Sequence, residues 1–192
     1  MQDLEQTIYQ CQQGNALAWE ALIKHYQAKV YGVAWYFFHN RHEAEDVTQE
    51  VFIKVYRRLD TFQSDKQSFV PWLLAIARNS CIDRLRKTSY RISHEDQASQ
   101  AHEERAQDAD PETMVSAEQR KQLIYQALDE FSQTSREIIL FKDIHGMKNE
   151  EVAEILFVPV GTIKSRSSRA RIKLAKLLSG LSAYKIKQAG TG

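Results

Sequence analysis

The apolar residues of this chain recur at steps of three and four along stretches that glycine and proline rarely interrupt. The 192 residues include only 7 Gly and 3 Pro. Between Ala44 and Leu59, for example, Val47, Val51 and Val55 follow one another at steps of four and lead to Leu59. Residues at that spacing share one face of an α-helix, whereas a strand would alternate at every second residue. The pattern predicts an all-α fold.

A change in composition divides the helical pattern into two parts. The stretch "SHEDQASQAHEERAQDADPE", which begins at Ser93, has no aromatic or large aliphatic side chain, and only Arg105 opposes its acidic residues. Because such a segment cannot bury apolar area, it predicts a flexible acidic linker. We therefore predict two small helical domains, residues 1–92 and residues 115–192, joined by a linker over residues 93–114.

The few cysteines and the lack of a long apolar run indicate a cytoplasmic protein. Cys11 and Cys81 are far apart and outside any metal-ligand spacing, which argues against a disulfide framework. The most apolar stretch, Tyr31–Phe38, is far too short to span a bilayer. The start of the chain, "MQDLEQTIYQ", lacks the basic and apolar regions of a signal peptide.

Two histidines raise the question of a metal site or an enzyme. His39 and His42 have an H-x-x-H spacing, but they lie in a predicted turn between helices. The sequence places no third ligand or catalytic base beside them, and it has no glycine-rich phosphate loop or nucleophile motif. We interpret both histidines as surface residues and expect no metal, no cofactor and no enzymatic activity.

Two helices joined by a tight corner are predicted between Asn149 and Leu178. Asn149 is expected to cap the first helix, and Pro159 ends it because proline cannot continue a helix. Thr162 is expected to cap the second helix, whose pattern continues to about Leu181 before a frayed tail. This arrangement is typical of a helix-turn-helix, in which the second helix enters the major groove of DNA.

The second helix of this pair has a basic outer face. Its inner face takes Ile163, Ser167 and Ala170, and no acidic residue occurs from Gly161 to Gly192. Most solvated helices mix both signs of charge, so DNA recognition is favoured over the alternative of a solvated basic face. Outward Ser and Arg suit base edges, and flanking cations suit phosphates. The outward residues are Lys164, Ser165, Ser168 and Arg169, and the flanking ones include Arg166 and Arg171.

The first domain carries two further polar groups. One is a polar surface beside the core face of the Ala44–Leu59 helix, made of Asp46, Gln49, Glu50 and Lys54. The other is the segment "WLLAIARNSCIDRLRK", in which apolar and aromatic residues alternate with cations, a mixture that suits single-stranded nucleic acid. Its Trp72, taken alone, is better interpreted as a core residue than as a stacking platform. These patterns indicate a nucleic-acid-binding protein with two helical domains.

Three segments together resemble the extracytoplasmic-function (ECF) group of the sigma-70 family of bacterial RNA polymerase sigma factors. They are "AEDVTQEVFIKVYRRLDTF", "WLLAIARNSCIDRLRK" and "EEVAEILFVPVGTIKSRSSRARIKLAKLL". They occur in the order of that group, around a short acidic linker, so the resemblance spans nearly the whole chain. It implies an alternative sigma factor that binds core polymerase and directs promoter-specific initiation by reading −35 and −10 elements. Residues 1–92 would be region 2 and residues 115–192 region 4.

The resemblance also implies roles for the residues. Asp46, Gln49 and Glu50, with Lys54, would bind core polymerase, the first three on the clamp helices of the β′ subunit. The segment "DTFQSDKQSF" would capture an unstacked base of the −10 element. The implied −10 contacts are Phe62 and Asn79 in the pocket of the base, Arg84, Arg86 and Lys87 at phosphates, and Trp72. The implied −35 contacts are Thr162, Lys164, Ser165, Arg166, Ser168, Arg169 and Arg171.

Partners follow from the same resemblance. They are bacterial core RNA polymerase, through its β′ and β subunits, promoter DNA, and an anti-sigma factor, which in this group is often membrane-bound. The remaining alternative is a stand-alone helix-turn-helix regulator. That protein would need a dimer interface, but the chain has no long heptad run, and the surface around Asp46 would serve no purpose in it. One departure from the family is Phe157, which opens the corner where many members have glycine or a small polar residue.

Overall fold

The computed structural model of the chain describes residues 2–63, 68–95, 127–128 and 130–189, and the regular elements in these ranges are helices. Within these ranges there is no β-strand, which confirms the all-α prediction. The chain divides into two compact units, Met1–Ala106 and Gln107–Gly192. The α-helices described are α1 (Gln2–Gln12), α2 (Ala16–Phe38), α3 (Arg41–Arg58), α4 (Phe69–Glu95), α5 (Gln133–Ile139), α6 (Asn149–Leu156) and α7 (Val160–Ala189).

The predicted linker overlaps the end of α4. Because α4 ends at Glu95, residues 93–95 are helical, and residues 96–114 of the linker lie outside the described residues. The domain limits at residues 92 and 115 therefore stay a prediction. Among the helices described, none is long and apolar enough to cross a membrane.

In the first unit, α2, α3 and α4 pack on one another. Val47, Val51, Val55 and Leu59 are all fully buried, as their spacing predicts. The start of α2 is fixed by Asn15, whose Oδ1 accepts hydrogen bonds from the N–H groups of Leu17 and Ala18 at 3.0 and 3.2 Å. One face of α3 is therefore buried against its neighbours, and the other face is left to carry polar groups.

An aromatic cluster closes this unit where α3 leads into α4. Leu59–Thr61 form a short 3₁₀ turn, and the side chain of Gln12 donates a hydrogen bond to the Leu59 carbonyl at 2.9 Å. Beyond the turn, the Phe62 ring lies 5.5 Å from Phe69 and 5.0 Å from Trp72 between centroids. The cluster thus holds both ends of the segment that the sequence identifies as a loop, of which residues 64–67 lie outside the described ranges.

The core of the second unit is formed by α5, α6, α7 and a π-helical turn, Leu140–Ile144.

The residue that caps the start of α6 differs from the one predicted from the sequence. Lys148, and not Asn149, occupies the cap position, and its N–H donates to the Glu151 carboxylate at 2.7 Å. Asn149 is not available as a cap because its Oδ1 accepts a hydrogen bond from Lys142 Nζ at 2.6 Å.

The corner between α6 and α7 also differs in detail from the prediction. Because α7 begins at Val160, Thr162 lies in its first turn and does not cap it; the Thr162 N–H donates to the Pro159 carbonyl at 2.8 Å. The helix continues to Ala189, so residues 185–189 of the predicted frayed tail are helical, and residues 190–192 lie outside the described residues. The residues after Leu181 are mostly good helix formers such as lysine, glutamine and alanine, which favour continuation.

Phe157 makes the corner in the left-handed region, with φ 55° and ψ 43°. Its side chain is 85% exposed, so burial does not compensate for the conformational cost of about 1 kcal/mol that a Cβ imposes there. We expect Phe157→Gly to raise the free energy of unfolding of the second unit by about 0.5 to 1 kcal/mol. Urea unfolding followed by far-UV circular dichroism would measure this.

Phe157→Ala is the matched control, because it removes the ring but keeps the Cβ. It should change stability by less than about 0.5 kcal/mol. All three tryptophans, Trp19, Trp35 and Trp72, lie in the first unit, so the tryptophan fluorescence transition should not move in either variant. Equal stabilisation by alanine and glycine would contradict the backbone explanation.

Both cysteines are core residues. Cys11 and Cys81 are buried, and burial raises the pKa of the Cys81 thiol to about 12 and also raises that of Cys11. Since the thiolate is the reactive form, iodoacetamide at pH 8 should modify the native chain slowly and the urea-unfolded chain at both positions. Counting adducts by mass spectrometry would test this; rapid native labelling of either residue would contradict it.

Candidate nucleic-acid interface and acidic face

The outward side of α3 presents three carboxylates in one row. Glu43, Asp46 and Glu50 are spaced three and four residues apart, so they share one helix face; we call these three residues the acidic face. Gln49 lies beside them and is exposed. Asp46 and Glu50 were predicted from the sequence as part of a polar surface, but Glu43 was not. The signal was present, because Glu43 stands one helical turn before Asp46.

Arg84 of α4 binds all three members of the acidic face. Its Nε lies 2.7 Å from Glu43 Oε2, one terminal nitrogen 2.9 Å from Glu50 Oε1, and the other 3.3 Å from Asp46 Oδ2. Partial burial lowers the pKa of the Arg84 guanidinium, but attraction and hydrogen bonding to the carboxylates outweigh this and the pKa is raised. The sequence had assigned Arg84 to DNA phosphates; the structure brings it instead to carboxylates of its own unit.

Lys54 is turned toward α4. Its Nζ donates a hydrogen bond to Ser80 Oγ at 2.9 Å, and the buried Ser80 hydroxyl donates to the Ile76 carbonyl at 2.8 Å. Lys54, Ser80 and Arg84 line a cleft of about 410 Å³ between α3 and α4, together with Glu43 and Glu50. The lysine therefore closes one end of the row of carboxylates.

The residues predicted to contact the −10 element separate into buried and exposed groups. Phe62 is buried and Trp72 half-buried, both in the aromatic cluster described above. Asn79, Arg86 and Lys87 are exposed along α4. The structure thus gives an apolar floor and an exposed polar helix face in the same region, and periodicity alone did not reveal that Phe62 belongs to the floor.

The orientation of α7 matches the prediction from its spacing. Ile163, Ser167 and Ala170 are buried, and Arg166 is half-buried. The exposed residues of the first three turns include Lys164, Ser165, Ser168 and Arg169. Four of the predicted −35 residues therefore lie on the outer face together, where groups that bind base edges or phosphates would have to be.

Two of the basic residues farther along α7 contact their own unit. Arg171 forms an ion pair with Asp143 of the π-helical turn, with Nε 2.9 Å from Oδ1, and this hydrogen bonding raises the pKa of Arg171. Lys173 donates to the Glu130 carbonyl and lies 4.7 Å from the centroid of the Phe131 ring. These contacts fix α7 to the segments that precede it.

The two histidines of the H-x-x-H pattern lie on either side of the turn between α2 and α3. His39 ends α2 in the left-handed region, with φ 49°, and His42 lies in the first turn of α3. Throughout residues 2–63, 68–95, 127–128 and 130–189, no group of three or more His, Cys, Asp or Glu side chains could hold a metal ion.

Comparison with family models places both units in one family. Residues 22–91 match the model of sigma-70 region 2, and residues 121–174 match that of sigma-70 region 4. The first match contains α3, with the acidic face, and most of α4. The second contains the helix-turn-helix of α6 and α7 with its basic outer face.

Whole-chain relatives and solved structures agree with these matches. The RNA polymerase sigma-H factor of Pseudomonas aeruginosa is 30% identical over 92% of this chain and 94% of its own length. The ECF sigma factor SigW of Bacillus subtilis is 33% identical over 93% and 98%, respectively.

Among solved structures, CnrH in complex with the cytosolic domain of CnrY is 25% identical with a TM-score of 0.65, over 91% of this chain and 96% of that one. The sigma factor RpoE of Bartonella quintana, in complex with the anti-sigma factor NepR, is 26% identical with a TM-score of 0.65, over 83% and 96%. The chain therefore belongs to the ECF group of the sigma-70 family and is an alternative sigma factor of promoter-specific transcription initiation.

Proposed function

We propose that different helices divide the work of initiation, with α3 of the first unit binding core RNA polymerase and α4 and α7 binding promoter DNA. The observation that carries this proposal is the separation of charge: the acidic face belongs to the first unit, and the acid-free basic face of α7 belongs to the second. Polymerase subunits and DNA phosphates need surfaces of different sign; the acidic face of α3 supplies one, and the basic residues of α7 and of the outer side of α4 supply the other.

The proposed polymerase contacts are Asp46, Gln49, Glu50 and Lys54. The exposure of Asp46, Gln49 and Glu50 supports docking on the clamp helices of the β′ subunit, with further contacts to the β subunit elsewhere on the chain. Lys54 would contribute at the edge of this surface. Its amine donates a hydrogen bond to Ser80 of α4, which fixes its position there. The rigid packing of α3 beneath these residues keeps the surface in one geometry.

For the −10 element we propose that bases meet the outer side of α4. Asn79 offers donors and acceptors to an unstacked base, while Arg86 and Lys87 bind phosphates beside it. Phe62 and Trp72, which contact each other at 5.0 Å between ring centroids, would form the apolar floor of this site. Such a pocket must return the few kcal/mol that base extrusion costs, through stacking and hydrogen bonds.

For the −35 element we propose recognition of duplex DNA by the outer face of α7. Lys164, Ser165, Ser168 and Arg169 point outward from its first turns and can reach base edges in the major groove. Thr162, Arg166 and Arg171 lie to the sides and bind phosphates, which set the register of the helix without reading sequence.

We further propose that the chain acts in the cytoplasm, is not itself an enzyme, and directs the chemistry of the polymerase. An anti-sigma factor, soluble or anchored in the membrane, is the proposed inhibitor. Support comes from RpoE of Bartonella quintana, whose solved structure contains an anti-sigma factor. Covering the acidic face or the basic face of α7 would be sufficient for inhibition, because each is needed at a separate step.

Run-off transcription is the direct test of the proposed activity. With bacterial core RNA polymerase and fragments of the source genome, addition of this chain should produce new transcripts from specific start sites. The same reaction without the chain is the control. If no transcript depended on the chain and it did not associate with core enzyme, the proposal would be wrong.

Substitutions in the two units should separate the two kinds of binding. Arg169→Ala should weaken −35 recognition by about 1 to 3 kcal/mol and leave core binding intact. Asp46→Ala with Glu50→Ala should weaken core binding by about 2 kcal/mol or more and leave DNA contacts in unit two intact. Holoenzyme affinity and transcription from the identified promoters would measure both effects.

A promoter with a scrambled −35 element supplies the control for the first variant. On that template Arg169→Ala should cause little further loss, since the contact is already absent. Equal loss of core binding in both variants would contradict the proposed division between the units.

A further inference from the structure

Arg84 of α4 makes three ion pairs that the proposed DNA contacts leave unexplained. We propose that Arg84 is a positioning residue for the polymerase-binding face: it holds the side chains of Glu43, Asp46 and Glu50 in the arrangement that core polymerase binds. This inference rests on the proposed function of Asp46 and Glu50. It adds Glu43 to the surface and assigns Arg84 to protein binding instead of phosphate binding.

The geometry of the guanidinium fits this task. Each of its three nitrogens contacts a different carboxylate, at 2.7, 2.9 and 3.3 Å, so one side chain orients three others. The carboxylates come from two successive turns of α3, and Arg84 comes from α4. The pairs therefore also fix the acidic face relative to the helix that carries Asn79, Arg86 and Lys87.

The acidic face would be poorly ordered without such a partner. Carboxylates three and four residues apart on a helix repel one another, and their half-exposed side chains have freedom to lose on binding. Ordering a long side chain at an interface costs about 0.5 to 1.5 kcal/mol. Because Arg84 has already ordered these three in the unbound protein, a basic partner surface meets them with less entropy left to lose.

The same surroundings make Arg84 a poor ligand for DNA. Each guanidinium nitrogen of Arg84 already has a carboxylate within 3.3 Å, so a phosphate could bind Arg84 only by displacing these carboxylates and against their negative charge. Arg86 and Lys87 are exposed on the same helix and have no such ion pairs among the described contacts. Phosphate binding by α4 is therefore better served by those two residues.

One effect opposes the positioning role. Arg84 removes one unit of negative charge from a face that must attract a basic partner, and long-range attraction governs the association rate more than the dissociation rate. Positioning of the carboxylates mainly stabilises the bound complex, and variants of one interface differ chiefly in their dissociation rate constants. The two roles of Arg84 can thus be separated by measuring both rate constants.

The experiment uses the full chain and bacterial core RNA polymerase, with association and dissociation followed by surface plasmon resonance. Arg84→Ala should dissociate about five- to tenfold faster, as expected when two or three side chains lose their fixed orientation. Its association at low salt should be unchanged or faster, because the face becomes more negative. The dissociation rate of Arg84→Lys should lie between those of Arg84→Ala and the unsubstituted chain, because an ammonium group cannot contact three carboxylates in the way a guanidinium does.

Arg41→Ala is the matched control. Arg41 lies at the start of α3 and pairs with Glu45 at 2.8 Å in an exposed position, so its removal changes net charge by the same amount and leaves the acidic face untouched. It should alter either rate constant by less than about twofold. Circular dichroism and thermal unfolding of each variant would verify that the first unit remains folded.

Glu43→Gln tests the inference by changing the carboxylate partner in the Arg84–Glu43 ion pair. It replaces Arg84→Ala as the test if that variant does not fold. It should speed dissociation in the presence of Arg84 and have a smaller effect in the Arg84→Lys background, because the contact it removes is already weakened. Additive effects of the two substitutions would contradict positioning through this pair.

Each other outcome points to a definite conclusion. If Arg84→Ala leaves dissociation from core unchanged, Arg84 does not position the face, and if it slows dissociation, Arg84 masks the face. If Asp46→Asn with Glu50→Gln leaves core binding at full strength, the polymerase-binding surface lies elsewhere and this inference is wrong together with that assignment. If Asp46→Asn with Glu50→Gln weakens core binding but Arg84→Ala does not, the proposed polymerase-binding surface stands and only the positioning role of Arg84 is wrong.

Discussion

Burial of one apolar row of α3 is the constraint on which the arrangement of the first unit depends. Val47, Val51 and Val55 have no exposed surface, and a helix has one rotation that buries them all. That rotation leaves Asp46 and Glu50 on the outer side. The position of the surface proposed to bind polymerase therefore follows from the packing of the core. If the apolar residues of α3 were displaced by one position in the sequence, Asp46 and Glu50 would no longer lie on the outer side.

Properties set by neighbours in sequence could be predicted, and properties set by distant neighbours could not. The inner face of α7 follows from the spacing of Ile163, Ser167 and Ala170, and helical order follows from the scarcity of glycine and proline. The partner of Arg84 does not follow in this way, because it depends on how α4 crosses α3. The same limit explains Phe62, whose burial depends on Phe69 and Trp72 across a loop.

The capping errors have a comparable physical origin. Asn149 has the side chain of a good cap, but its oxygen accepts a hydrogen bond from Lys142, and Lys148 occupies the cap position, where its N–H donates to Glu151. Local preference gave the right helix and the wrong cap, since the deciding contact came from the preceding π-helical turn. Phe157 is a similar case, because no local preference favours phenylalanine in the left-handed region.

Stability alone is a weak explanation for the ion pairs of Arg84. Its carboxylate partners are between 44% and 61% exposed, and exposed pairs of this kind contribute about 0 to 1 kcal/mol each. Replacing one such pair would scarcely affect the fold, whose free energy comes mainly from the buried rows of α2, α3 and α4. A contact with three carboxylates that adds little to stability still fixes the orientation of their side chains, and a docking surface depends on that orientation. The contact is therefore better understood through the partner that the acidic face binds than through the core beneath it.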